Sequence, residues 1–251
     1  MVRVCLDPGH GGYDPGAIGP TKLKEKDISL AVALETGNFL QSAGCEVVFT
    51  RIDDQVSWFE DANQDLFTRC KIANLSSVDL FVSIHCNSAS NPDAHGTETY
   101  SYAASDTGQG AEAAQLIQTE LVNALGLPNR GTKTANFYVL RETKAPAVLT
   151  ELAFISNPQE EQLLNQKDFQ VKAAKAIALA VTKYFGLKLP PQEHPPVSPR
   201  LVINGQLTTS VPLCIIDGKT YVELRSFLKA TGGEVKWDES TKTITVILKP
   251  K

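Results

Sequence analysis

Four side chains in the 251-residue chain have the types and positions to do chemistry together: His10, Glu25, His85 and Glu151. His10 follows an apolar run through the turn Asp7-Pro8-Gly9, His85 closes the run DLFVSIHC, and Glu151 follows the short run that begins at Ala147. In open α/β sheets ligands bind just outside the carboxyl ends of the strands, so neighbouring strands bring such residues to one edge. Glu25 stands in the loop before the first long helical pattern. Two imidazoles and one carboxylate form a mixed N/O donor set of the kind that holds Zn2+ in hydrolases, with a fourth position left for water. An ion so held lowers the pKa of its water to about 7 and polarises a carbonyl. A further carboxylate, Glu151, is then available to move the proton.

Taken singly, each residue has a plainer explanation. A histidine in an apolar strand is usually a satisfied core residue, and an acid in the charged run KLKEKD is usually a solvated helix N-terminus. Glu151 is the most telling, because a carboxylate within AVLTELAF is costly to bury unless paired, protonated or bound to a metal. His95, in a loop of small and polar residues, and His194, among prolines, read as surface histidines and receive no role.

The elements that must position these groups can be read from periodicity. Val2–Leu6, Glu46–Thr50, Asp79–Cys86, Thr97–Tyr102 and Ala147–Thr150 are predicted strands. Asp27–Ala43, Leu66–Leu75, Gly110–Leu125 and Val171–Phe185 carry the helical spacing of apolar residues. Alternation of the two implies an α/β fold: a mixed, mostly parallel sheet with helices on both faces. The Asp79–Cys86 run lacks polar alternation and is expected at the centre of that sheet. Residues 187–200 hold five prolines among polar residues, a stiff extended composition. This divides the chain into a catalytic domain over 1–186, a linker over 187–199 and a small C-terminal α+β domain over 200–251. In the last, strands at 201–203, 213–216, 220–222, 234–237 and 243–248 surround a helix at 223–229.

Composition narrows the partners. With 42% apolar and 21% charged residues the chain has the make-up of an ordinary folded domain. Its net charge of −4, with acids and bases interspersed, argues against nucleic acid or an anionic membrane surface as partner. No apolar run reaches the ~20 residues of a membrane span. The five cysteines are scattered without a CxxC pair, which argues against a disulfide framework or a cysteine zinc knuckle.

The segments LDPGHGGYDPGAIG, KEKDISLAVAL, GCEVVFTRIDD, RCKIAN, DLFVSIHCNS, HGTETYSY and APAVLTELAFISNPQEEQLL, in this order across about Val2–Phe185, resemble the successive motifs of the family-3 N-acetylmuramoyl-L-alanine amidases. The resemblance implies hydrolysis of the amide joining N-acetylmuramic acid to L-alanine in peptidoglycan, with one Zn2+ per chain held by His10, Glu25 and His85 and with Glu151 as the catalytic acid/base. Ala153 and Cys86 replace the Gly and Ala usual in the ELGF and SIHAN motifs. Cys86 is expected near the metal, where a thiol would confer sensitivity to oxidation. The short stretch Asn87–Gly110 leaves no room for an inserted inhibitory helix, so no obligatory protein activator is expected.

The C-terminal domain is similar to the small stalk-like domain at the N-terminus of copper amine oxidases, and wall binding is the function expected of it, with Tyr221 and Trp237 as candidates for stacking on sugars. Two other readings stay open: a zinc peptidase cutting within the stem peptide, and a catalytically inactive wall-binding protein. The chain as given shows no signal peptide, so synthesis in the cytoplasm and action on the cell wall, after lysis or after removal of an export signal, is the expected localisation.

Overall fold

The computed structural model describes residues 1–54, 56, 61–102 and 108–190, together with 201–203, 206–208, 213–216, 219–222, 224–238 and 243–247. The chain divides into two units, Met1–Pro190 and Pro191–Lys251. The first extends past its last helix because Leu187 and Leu189 pack against its core.

Unit 1 is built on a six-stranded sheet. Its strands are β1 (Arg3–Pro8), β2 (Glu46–Phe49), β3 (Leu80–Asn87), β4 (Thr97–Ser101), β5 (Asn129–Thr134) and β6 (Ala147–Phe154), in the spatial order β2-β1-β3-β6-β4-β5. β2, β1, β3 and β6 run parallel, while β4 pairs antiparallel with β6 and parallel with β5. The sheet is therefore mixed and mostly parallel. β3 is central and its first five residues are buried, in line with its continuous apolar run.

Among the described residues of this unit six helices accompany the strands: α1 (Glu25–Ser42), α2 (Ala62–Leu75), α3 (Gln109–Leu125), α4 (Tyr138–Glu142), α5 (Pro158–Leu164) and α6 (Lys167–Tyr184). Strand side chains alternate between faces, and the two faces make separate cores. Val4, Leu6, Val82, Ile84, Val148 and Leu152 pack with apolar residues of α1, α3 and α6. Cys5, Phe81, Ala147 and Leu149 pack on the other face with Cys70 and Ala73 of α2 and with Val139 and Leu140 of α4. Fully burying one such aliphatic side chain stabilises by roughly 1.5–3 kcal/mol, which is why β3 and β6, loaded on both faces, form the middle of the sheet.

Local signals set the helix ends. Asp61 caps α2 by accepting from the Gln64 N–H at 2.9 Å, and Asn157 caps α5 by accepting from the N–H groups of Gln159 and Glu160, with Pro158 in the first turn. α1 stops just before Gly44, whose φ of 83° favours a residue without a Cβ.

The described residues of unit 2 form three antiparallel strand pairs, β7 (Leu201–Ile203) with β8 (Gln206–Thr208), β9 (Leu213–Ile216) with β10 (Lys219–Val222), and β11 (Glu234–Asp238) with β12 (Thr243–Ile247), plus helix α7 (Leu224–Thr231). This is the small α+β pattern read from the sequence. His194 lies outside the described residues, as do the side chains of Tyr221 and Trp237. Among the described residues no helix is long and apolar enough to cross a membrane.

Candidate active site

At the carboxyl ends of β1 and β3 the chain brings His10, Glu25 and His85 together, on the sheet face that carries α2 and α4. Glu25 opens α1, which starts two residues earlier than the apolar periodicity alone indicates. Its Oε1 lies 3.1 Å from His10 Nε2 and 2.9 Å from His85 Nδ1, and the two imidazoles meet edge to face with centroids 4.9 Å apart. One ligand atom from each of the three residues lies within 4.8 Å of the others. Bonds of about 2.0–2.1 Å from one tetrahedral ion place neighbouring donor atoms about 3.3 Å apart. The observed separations are close to that spacing, and two imidazole nitrogens with one carboxylate oxygen suit zinc, so the residues fit the ion that the sequence implies.

Two of the three, Glu25 and His10, are also held by groups outside the donor set. Glu25 is buried, its Oε2 accepting from the Ala17 N–H and its Oε1 from the Cys86 N–H, both at 2.9 Å. Burial alone would raise its pKa, but the hydrogen bonds with His10 and His85 outweigh burial and hold the carboxylate well below its usual range. His10 Nδ1 is 2.7 Å from Asp14 Oδ2. Burial opposes charge on this imidazole, yet Glu25 and Asp14 together raise its pKa to about 9. A carboxylate behind a metal-binding histidine fixes the ring and makes it a better donor. Asp14 was visible in the sequence as part of GYDPG, but nothing in its spacing separated it from an ordinary turn residue.

Two buried arginines, which the sequence reading gave no role, shape the loop that carries His10. Arg51 donates through Nε to the Pro8 carbonyl and through Nη2 to the Gly9 carbonyl. Arg69 of α2 donates to the Pro8 carbonyl at 2.7 Å and to the His10 carbonyl at 2.6 Å, while also pairing with buried Asp7 and Asp65. Buried carbonyls need partners, and the two guanidinium groups supply them for three consecutive residues. The clamp holds His10 at a φ of 61°, a left-handed conformation that costs a non-glycine residue about 1–2 kcal/mol. Gly9 permits the close approach of its neighbour: a Cβ there would lie 2.2 Å from the His85 ring.

Glu151 lies within β6, not after it. The strand continues to Phe154 because both neighbours keep pairing with it, Glu151 opposite Glu98 of β4 and Phe154 opposite Asn87 of β3. Glu151 is also the register partner of His85, so the two side chains point from adjacent strands to the same face. Its Oε2 is enclosed and has no hydrogen-bond partner among the described residues. Burial, then the nearby charges of Glu25 and Glu98, raise its pKa well above the usual carboxylate range. A carboxyl group enclosed beside a donor set and left without a partner of its own is placed for proton transfer.

These groups line a cleft of about 500 Å³ whose walls include Leu66 and Arg69 of α2, Asn87 of β3, and Phe137 and Tyr138 at the start of α4. Cys86 borders the cleft, and its N–H donates to Glu25. Its side chain is buried in the apolar cluster on the other face of β3, and burial, with the nearby charges of Glu25 and Glu151, pushes its thiol well above the usual value. A thiol that stays protonated is inert, and this argues against oxidation sensitivity at Cys86. His95 is exposed in its loop, away from the donor set.

The family model described as N-acetylmuramoyl-L-alanine amidase matches residues 4–183, and that described as copper amine oxidase N-terminal domain matches residues 202–251. The germination-specific N-acetylmuramoyl-L-alanine amidase of Bacillus subtilis is 34% identical over 198 residues, covering 76% of this chain and 82% of that protein. The endolysin of Bacillus phage SPP1 is 34% identical over 250 residues, covering 97% of this chain and 89% of its own. Among solved structures, the catalytic domain of CwlV, an N-acetylmuramoyl-L-alanine amidase from Bacillus (Paenibacillus) polymyxa var. colistinus, superposes with a TM-score of 0.68 at 39% identity, covering 75% of this chain and all of that one. The CwlD amidase of Clostridioides difficile, solved in complex with the GerS lipoprotein, has a TM-score of 0.70 at 34% identity, with 74% and 99% covered.

Proposed function

Because this chain belongs to the N-acetylmuramoyl-L-alanine amidase family, we propose that His10, Glu25 and His85 hold one Zn2+ per chain and that Glu151 is the acid/base of its reaction. That reaction is hydrolysis of the amide between N-acetylmuramic acid and L-alanine in peptidoglycan. The observation that carries the residue assignment is the convergence of three donor side chains beside Glu151, whose enclosed Oε2 has no hydrogen-bond partner among the described residues.

Zinc bound there supplies a Lewis acid for the scissile carbonyl and favours ionisation of a water molecule. The rest falls to the chain. Glu151, in its carboxylate form, takes the proton of the attacking water and returns it to the alanine nitrogen as the C–N bond breaks. Its enclosure, which favours the protonated form, makes it a willing acceptor and holds the proton until it passes to the nitrogen. Asp14 keeps the His10 ring oriented, and the arginine clamp keeps the loop from turning that ring away.

The test is zinc content together with release of new N-terminal alanine from purified peptidoglycan, using the purified chain alone with no added protein. We expect about one zinc per chain and alanine release without an activator; release only after a partner protein is added would overturn the expectation of independent activity. Glu151→Gln should keep the zinc and lose roughly 10²–10⁴-fold in rate. A variant that retains full activity would remove Glu151 from the mechanism. Cleavage within the stem peptide without new alanine ends would make the zinc peptidase reading the better one.

A further inference from the structure

A row of polar side chains crosses the cleft face of the sheet from the donor set towards its far edge. His85 on β3 is the register partner of Glu151 on β6, and Glu151 is the partner of Glu98 on β4. Register partners point to the same face. Glu98 is buried, and its carboxylate accepts from Asn87 Nδ2 at 2.7 Å, from the Tyr100 hydroxyl at 2.6 Å, from Arg130 Nε at 2.7 Å and from Lys133 Nζ at 2.5 Å. Arg130 and Lys133 both belong to β5, the edge strand. One carboxylate thus holds two cations, and the cluster keeps a surplus of positive charge.

A pair made only for stability would need one cation and would gain little from leaving it in solvent. Here the side chains of Arg130 and Lys133 remain 36% and 39% exposed. Arg130 spends Nε on Glu98 and Nη1 on the His95 carbonyl, while its Nη2 has no partner among the described residues. Its guanidinium lies over the Phe154 ring, 4.8 Å from the centroid, and Lys133 Nζ is 5.8 Å from the Tyr100 ring centroid. Both cations are therefore held in position before any ligand arrives, which lowers the ordering cost of binding one. Asn87, which bonds Glu98, also lines the cleft, so the cluster continues the cleft wall.

We propose that Arg130 and Lys133 form an anion subsite that receives a free carboxylate of the stem peptide, two or three residues beyond the scissile amide. The proposal rests on the amidase reading above. Strands lie about 4.8 Å apart, which puts β5 about 10 Å across the sheet from Glu151. Extended chain covers about 3.5 Å per residue, so two or three residues span that gap. A carboxylate is the group that a guanidinium and an ammonium held side by side recognise best.

The experiment uses two synthetic muramoyl tripeptides, identical except that the carboxyl groups beyond the alanine are free acids in one and carboxamides in the other. For the native chain kcat/KM should favour the acid by about tenfold or more, mainly through KM, the expected size of one charge-assisted contact. Lys133→Met should bring the ratio of acid to amide towards one, and Lys133→Arg, which keeps the charge, should preserve it. A native ratio near one would overturn the subsite, as would a Lys133→Met variant that slows both substrates in parallel and leaves the ratio intact. Failure of the native chain to release alanine from either tripeptide, or from purified peptidoglycan, would instead overturn the amidase reading and the subsite with it.

Discussion

His10 occupies an unusual position for a metal-binding candidate: its backbone is left-handed, its ring is gripped on one nitrogen by Asp14, and its other nitrogen faces Glu25. The Asp14 contact is the part most easily removed without disturbing the fold, because Asp14 is itself partly exposed and sits in a turn. Asp14→Ala is expected to weaken zinc affinity by about 10–100-fold, measured by competition with a chromogenic chelator, while thermal stability of the metal-free protein changes little. Unchanged affinity would show that the ring is oriented by the loop alone.

At the level of elements, the link between helix α2 and the end of strand β1 decides whether the donor set can assemble. Arg69 bridges them, with Asp65 on its own helix and Asp7 and the Pro8 and His10 carbonyls on the strand side. Replacement by methionine keeps the apolar stem but leaves Asp7 a buried carboxylate without its cation, although Thr50 and Ser83 still donate to it. Arg69→Met should cost about 3–5 kcal/mol in urea unfolding. A loss below about 1 kcal/mol would mean that the two hydroxyl groups suffice.

The elements themselves were unequally legible. β1, β3, α3 and α6 announce themselves by apolar periodicity, and the Asp79–Cys86 run correctly marks the centre of the sheet. β5 was missed because its sequence, NRGTKT, carries no apolar side chain: it is an edge strand with exposed positions, and only pairing with β4 makes it a strand. α4 spans only 5 residues, too short for a helical period to register. α5 did carry a signal, an Asn-Pro cap followed by acids, which lay inside a motif and was not read as a helix start. The four site residues could be named from their types and strand-end positions together with the family motifs. The groups that support them, Asp14, Arg51 and Arg69, could not be distinguished, because their importance lies in backbone carbonyls that a sequence does not display.

For the molecule as a whole, every residue assigned to the chemistry or to the proposed subsite belongs to unit 1, Met1–Pro190. A chain ended after Pro190 is expected to match the full chain in alanine release from soluble muramoyl peptides. On insoluble wall, lower release by the shortened chain at equal concentration would assign wall binding to unit 2, and equal release would make that unit a passive accessory. A shortened chain that fails on soluble peptides would show instead that unit 2 supports the catalytic fold.

The strand order β2-β1-β3-β6-β4-β5 has one more consequence. β6 is the last of these strands to be synthesised, yet it lies between β3 and β4, so the two halves of the sheet are not bonded to each other until it enters. The three metal-ligand candidates reside on segments that precede it, and Glu151 travels on the closing strand itself. A nascent or half-folded chain thus has a place for the ion before it has a proton carrier beside it, and the hydrolase is armed by the same event that seals the sheet.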